Sequence, residues 1–378
     1  MKLSCLQENL SKALGIVGRA VATRSTLPIT QNILMSTDQG RLKLSATNLE
    51  IAVTTWVGAK IADEGAITIP ARLLTDFVTS LPDGQIDIAM TPKPKGIQLT
   101  CGRFEGRIIG IDAEEFPPIP TVDEGVGVTI ASQNLRHAIN QVVFAAATED
   151  SRPVLTGVNV ELEGDRFTLA AADGFRLAVF KGTLETTLAE PLSFIIPART
   201  LTELNRLLGD QSEPVEFTVT PQRSQALFRL QNVELVSQLV QGTFPNYQQL
   251  IPDAFETRTV VSLQDFLRAT KAASIFARDG GGIVRLQVSP GADGAPGKML
   301  ILARAEELGD NQGEFDAQVE GPETKIAFSS KYLQEVLTVL DDKTEVAMET
   351  STPSSPGVLK PVSDEDYVHV IMPMFVQW

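Results

Sequence analysis

Three stretches decide the fold: Ile67–Leu81 (ITIPARLLTDFVTSL), Ser193–Leu208 (SFIIPARTLTELNRLL) and Lys325–Leu340 (KIAFSSKYLQEVLTVL). Pro70, Pro197 and Ser329 correspond, and two residues on stand Arg72, Arg199 and Lys331. Seven on from the same positions stand Phe77, Leu204 and Val336, and eleven on stand Leu81, Leu208 and Leu340. Each stretch reads as a short apolar strand, a stop, and an amphipathic helix of period near 3.6. A turn and another strand follow each time: PDGQIDIAM, GDQSEPVEFTV and DDKTEVAMET.

A second helical pattern precedes each of these by some sixty residues. Leu6–Val21 sets Leu6, Leu10, Leu14, Val17 and Val21 on one face; Ser132–Ala147 does so with Leu135, Ile139, Val142 and Ala146. Ser262–Arg278 does so with Phe266, Ala269, Ala273 and Phe276. Ser4 with Gln7 reads as a capping box, and Ser262 with Asp265 as a weaker one. Strand-like runs such as Arg41–Ala46, Ile51–Val57 and Phe167–Ala172 lie between the helices. The copies recur at about 125 to 132 residues, far beyond solenoid repeats, so they are whole domains. Boundaries fall near 122–127 and 253–257, after FPPIPTVDEG and FPNYQQLIPDA, giving domains 1–124, 125–254 and 255–378 of α+β class.

The chain has 378 residues, 43% apolar and 21% charged, with a formal charge of −15. That total argues against a surface basic all over. The distribution is more informative. The helical parts of these stretches, residues 6–20, 71–81, 132–147, 198–209, 262–278 and 330–340, hold Lys12, Arg19, Arg72, Arg136, Arg199, Arg206, Arg268, Lys271, Arg278 and Lys331 against Glu8, Asp76, Glu203, Asp265 and Glu335. They are therefore net +5, and the rest of the chain is −20. A set of basic helices on an otherwise acidic chain can meet phosphates while the exterior repels them. The same charges also suit ordinary solvated helix faces. No apolar run approaches the ~20 residues of a membrane helix. With Cys5 and Cys101 alone and no export signal, both thiols are expected reduced, in a cytoplasmic protein.

Several motifs in order along the whole chain closely resemble the bacterial β sliding clamps, the processivity subunits of DNA polymerase III. They are Leu27-Pro28-Ile29, Ala46-Thr47-Asn48-Leu49-Glu50, Ile69-Pro70-Ala71-Arg72, Ala172-Asp173-Gly174-Phe175-Arg176-Leu177-Ala178, Phe244-Pro245-Asn246-Tyr247 and Val370-Ile371-Met372-Pro373-Met374. The resemblance implies three tandem clamp domains, each with two helices on antiparallel sheets, and two chains joined head to tail in a ring around duplex DNA. DNA contact, without sequence reading, then falls to Arg24, Arg72, Arg136, Arg152, Arg199, Arg206, Arg268, Lys271, Arg278 and Lys331. It implies a pocket for linear motifs of the polymerase III α subunit, the clamp loader, other polymerases and repair proteins. Its wall would be Leu155, Ala172, Gly174, Phe175, Arg176, Leu177, Pro245, Leu250, Val370, Ile371, Met372, Pro373 and Met374, with Arg176 bonding an incoming backbone or carboxylate. Ile108 would meet Ile275 and Phe276 of the second copy. Phe175 and Gln249 stand where the best-known clamps carry histidine and arginine, and Phe375-Val376-Gln377-Trp378 runs past the usual end.

An enzyme finds little support. His137 and His369 share no site in the repeat, so neither a metal, a cofactor nor a catalytic residue is expected. Gly280-Gly281-Gly282 lacks the phosphate-loop pattern, and Asp173 reads as a turn former. Two alternatives stay open on the residues: a protein scaffold that ignores DNA, and an acid–base enzyme using Glu149 and Asp150.

Overall fold

The structure, a computed structural model, describes the chain apart from residues 24, 25, 123, 150, 210, 279, 280, 293, 294, 306, 308, 341–344 and 378. Its helices are α1 (Gln7–Val17), α2 (Ala71–Ser80), α3 (Ser132–Val142), α4 (Ala198–Leu208), α5 (Leu263–Ala277) and α6 (Ser330–Val339). All six lie within the stretches read from periodicity. The first helices of repeats one and two are shorter than expected: α1 and α3 pass into 3-10 turns at Gly18–Ala20 and Val143–Ala145.

The buried stripes explain why these segments are helical. In α1 it is Gln7, Leu10, Ala13, Leu14 and Val17; in α6 it is Ser330, Leu333, Val336 and Leu337. In α5 the stripe is Leu263, Phe266, Thr270, Ala273 and Ala277, rotated by one position from the expected face, with Phe276 half-buried. Ser262 and Ser329 cap α5 and α6, their hydroxyls accepting from Asp265 N (3.4 Å) and Tyr332 N (3.5 Å). The capping box expected at Ser4 and Gln7 does not form. Ser4 is inside strand Lys2–Leu6, paired with Lys60 and Asp87, and Gln7 Nε2 donates instead to the Val78 carbonyl of α2 (2.8 Å).

The chain folds as two compact units, residues 1–133 with 202–239 and residues 134–201 with 240–378. Each contains a twelve-stranded antiparallel sheet. The middle repeat is thus shared between units, and the reason is strand pairing. In the first unit, Ile51–Asp63 of repeat one pairs with Val233–Gln238, the last strand of repeat two, in the register Val53↔Leu235. In the second, Arg176–Thr183 of repeat two pairs with Tyr367–Ile371, the last strand of repeat three, in the register Leu177↔Val370. One rule joins the repeats twice: an inner strand of one copy takes the last strand of the next.

Several strands lie at sheet edges, but of the inner and last strands that this rule concerns, two have an edge left over among the described residues. Phe104–Ile109, the last strand of repeat one, pairs only with Lys95–Cys101. In repeat three, Gly309–Glu320 pairs with Gly297–Ala305 along one edge, and on the other reaches Thr257–Ser262 only through residues 318–320. No helix among the described residues is long and apolar enough to cross a membrane. Cys5 and Cys101 are free and buried, and burial, then the nearby Asp87 charge, pushes the Cys5 thiol up to about 12.

His369 sits fully buried in strand Tyr367–Ile371, its ring stacked on Phe144 (centroids 5.5 Å apart). Nδ1 lies 3.3 Å from the Tyr367 hydroxyl, while Nε2 finds no hydrogen-bond partner among the described residues. Burial, then the Arg176 charge, holds its pKa down at about 3. The unfolded chain, titrating near 6.5, binds the proton first as pH falls. Stability is therefore drained from about pH 6.5 downward through this group. His369→Gln is expected to flatten the fall in thermal midpoint between pH 6.5 and 4 relative to wild type; parallel curves would remove His369 from the acid response.

Candidate nucleic-acid interface and docking pocket

The helices bury their apolar stripes and leave their cations outside. Arg72, Arg136, Arg152, Arg199, Arg206, Arg268, Lys271, Arg278 and Lys331 are all exposed. Arg24 lies outside the described residues. Several cations hold a carboxylate on their own helix: Arg72 with Asp76 (3.8 Å), Arg206 with Glu203 (2.7 Å) and Arg268 with Asp265 (3.6 Å). Such exposed pairs are weak and screened, so a phosphate can displace the carboxylate.

The residues expected to form the docking pocket divide by depth. Leu155, Ala172, Arg176, Leu177, Val370, Ile371 and Pro373 are buried; Gly174, Phe175, Pro245, Leu250, Met372 and Met374 are exposed. Ala172, Leu177 and Val370 share a core cluster with Tyr247, which Pro245 and Leu250 flank in sequence. Backbone bonds bring the loop and the last strand together: Met372 N donates to the Phe175 carbonyl and Met374 N to that of Ala327, both at 2.8 Å. Phe175 is 58% exposed and Phe375 84%, so apolar surface continues into the tail. Trp378 lies outside the described residues.

Arg176 is not what the sequence implied. Its side chain is 5% exposed and points inward. Nε donates to Asp173 Oδ2 (3.1 Å), Nη1 to the Glu335 carboxylate, and Nη2 to the Phe144 carbonyl (2.6 Å). Its guanidinium carbon lies 4.3 Å from the Tyr332 ring centroid and 5.2 Å from that of Phe144. A group so committed has little left for an incoming peptide. Asp173 forms the turn expected of it, but Glu335, Phe144 and Tyr332 escaped the sequence reading, because partners 159 residues apart, as Arg176 and Glu335 are, leave no local signal.

Ile108 is a second correction. It is 5% exposed and faces the core, whereas Phe104 and Ile109 of the same strand are 54% and 67% exposed. Side chains alternate along a strand, so a choice one residue off selects the wrong face. On α5, Ile275 is 60% exposed.

A solvent-facing cavity of about 200 Å3 brings together residues expected on both functional surfaces, Arg152 and Lys331 with Phe175 and Arg176. Among the described residues no group of His, Cys, Asp and Glu stands close enough to hold a metal ion.

Tandem copies of a helix pair on antiparallel strands, sharing sheets across repeat boundaries, define a DNA-clamp fold. Three family profiles of the DNA polymerase III beta subunit match in order: the N-terminal domain over 1–120, the central domain over 129–246 and the C-terminal domain over 248–375. The beta sliding clamp of Synechocystis is 31% identical over 395 aligned residues, and that of Synechococcus elongatus 30% over 377, each covering 99% of both chains. The crystal structure of the Bacillus subtilis clamp superposes over 100% of both chains with a TM-score of 0.94 at 29% identity. A Pseudomonas aeruginosa clamp bound to griselimycin does so with a TM-score of 0.92 at 28% identity. The chain belongs to the DNA polymerase III β subunit family, the β sliding clamps, which are non-catalytic processivity factors.

Gly174 has a positive φ of +94°, and a Cβ there would lie 2.8 Å from Arg152 Nη2. Alanine at 174 is expected to cost about 1 kcal/mol for its left-handed backbone and to push the Arg152 guanidinium aside. Placed on an Arg152→Ala background, the same change should cost less, as read by thermal unfolding. Equal costs would show that Arg152 does not press on this turn.

Proposed function

We propose that two copies of this chain close head to tail around duplex DNA in the cytoplasm, as three clamp domains per chain at 1–124, 125–254 and 255–378. The observation that carries this reading is the repeated pairing rule and its remainder. An inner strand of one repeat twice takes the last strand of the next, and the leftover edges are the inner strand of repeat three and the last strand of repeat one. Unpaired edge groups seek a ladder. Applying the rule once more between chains pairs Gly309–Glu320 of one copy with Phe104–Ile109 of another, and symmetry repeats the contact. Charge supports it: Asp310, Glu314 and Asp316 are exposed on the first strand, Arg103 and Arg107 on or beside the second. Exposed Phe104, Ile109 and Ile275 supply apolar area, in place of Ile108.

In the closed assembly the exposed cations of the six helices face phosphates, through contacts that neutralise charge without reading bases. Retention then comes from topology, and weak contact permits sliding. The polymerase III α subunit, the clamp loader and other polymerases and repair proteins dock by linear motifs on the pocket floored by Ala172, Leu177 and Val370 and rimmed by Phe175, Met372 and Met374. Griselimycin, found on the Pseudomonas aeruginosa clamp, is proposed to occupy this pocket here as well.

Protein loaded on nicked circular DNA by its loader should stay on the circle through gel filtration and run off once the circle is cut. Equal retention on both forms would sink the ring. For the pocket, removing 372–378 should abolish griselimycin binding while the protein still has the mass of a dimer of the shortened chain; undiminished binding would exclude this pocket as the site.

A further inference from the structure

Asp173 ties together several parts of the docking region. Its Oδ1 accepts from Phe175 N (2.9 Å) and Arg176 N (3.1 Å), and its Oδ2 from Arg176 Nε (3.1 Å). Its carbonyl lies 3.4 Å from Arg152 Nη2. The Tyr332 ring covers the same guanidinium, and its phenol is raised above the ordinary value by burial first and then by the Asp173 charge. Arg176 carries the link onward to Glu335 in α6 and to the Phe144 carbonyl, in the turn just after α3. The far side of the turn is tied as well, through the bond from Met372 N to Phe175 O.

Repeat one supplies an internal control. There Asn48 Oδ1 accepts from Glu50 N (3.0 Å) and Ile51 N (2.9 Å), and Leu49 holds a φ of +75°. That is the turn of Asp173, Gly174, Phe175 and Arg176, built without a charge. The turn itself needs only a side-chain oxygen, which asparagine provides. A carboxylate at 173 is required by something repeat one lacks, and the residue facing it, Arg176, has Ile51 as its counterpart. Two further acceptors, Glu335 and a backbone carbonyl, hold the guanidinium on its other nitrogens.

We propose that Asp173 is a positioning residue for the docking pocket, acting through Arg176 to fix the Gly174–Phe175 wall against the last strand. This rests on the pocket assigned above. The carboxylate orients the guanidinium, and the guanidinium locks the turn to α6 and to the segment after α3. Phe175 is thereby held out at one height while its carbonyl stays on Met372. A loose turn leaves Phe175 free to collapse over the floor, and the incoming ligand then bears the cost of ordering it.

The test uses the full chain and griselimycin as the probe. Asp173→Asn preserves the turn, as Asn48 does, but sets an amide against the guanidinium. Griselimycin affinity is expected to fall at least tenfold, chiefly by faster dissociation. Val288→Ala, a core truncation in a strand that adds nothing to the pocket, controls for lost stability and should leave affinity within twofold at a comparable drop in thermal midpoint. Because Asp173 acts through Arg176, the double variant D173N/R176M should bind no worse than R176M alone. Affinity of D173N within twofold of wild type, or additive losses in the double variant, would overturn the proposal. Hydrogen exchange gives a readout free of the ligand: amides of residues 173–177 and 372 should exchange faster in D173N, and unchanged exchange would also overturn it. If wild-type protein failed to bind griselimycin, the pocket reading would fall, and the exchange result alone would decide the part played by Asp173.

Discussion

A strand at the edge of a sheet carries backbone N–H and C=O groups that need partners, and that need organises this chain. A repeat that stood alone would expose one such edge on an inner strand and another on its last strand. Joining the repeats head to tail pairs the first kind with the second, as Val53↔Leu235 and Leu177↔Val370 record. The middle repeat satisfies both edges and is consequently divided between two compact units. Of these two kinds of strand, among the described residues, those left with an edge are the inner strand of repeat three and the last strand of repeat one, which are of complementary kind. The assembly proposed above therefore asks for no new type of contact.

The helices answer a second demand. Each buries one stripe on its sheet, and the alternation of apolar and polar positions leaves the cations on the opposite face. Carboxylates one turn away, such as Asp76 beside Arg72, temper the positive field without removing it. Tempering suits the proposed ring, which topology would retain, because tight phosphate contact would oppose movement along the duplex. The net negative charge of the rest of the chain would serve the same end by confining attraction to the helices.

Much of this was legible in the sequence, and the exceptions share a cause. Helices declared themselves because their signal is local: the stripe Leu10, Leu14 and Val17, or the Ser262 cap on α5, needs only neighbours in the chain. Capping at Ser4 failed because pairing to Lys60 and Asp87, far along the chain, made that residue a strand. Ile108 failed by one residue of strand phase. Arg176 failed most instructively. The family resemblance implied a peptide contact for it, and only the fold supplies Glu335, Phe144 and Tyr332 to draw it inward.

Repetition and divergence can be separated at one turn. Asn48 and Asp173 perform the same backbone task, each accepting the amides two and three residues on, and each is followed by a residue in the left-handed region. At that residue repeat one tolerates Leu49 despite the strain, because its side chain projects into solvent. Repeat two has Gly174, where Arg152 leaves no room for a Cβ unless it moves. The backbone alone does not explain the difference, since both turns have it. What differs is the company: a buried cation on one side, an exposed cation on the other, and a terminal strand bonded to the intervening carbonyl. A turn shared by repeats one and two thus takes on, in repeat two, the docking role proposed above, through charge placed where repeat one has an amide and an isoleucine.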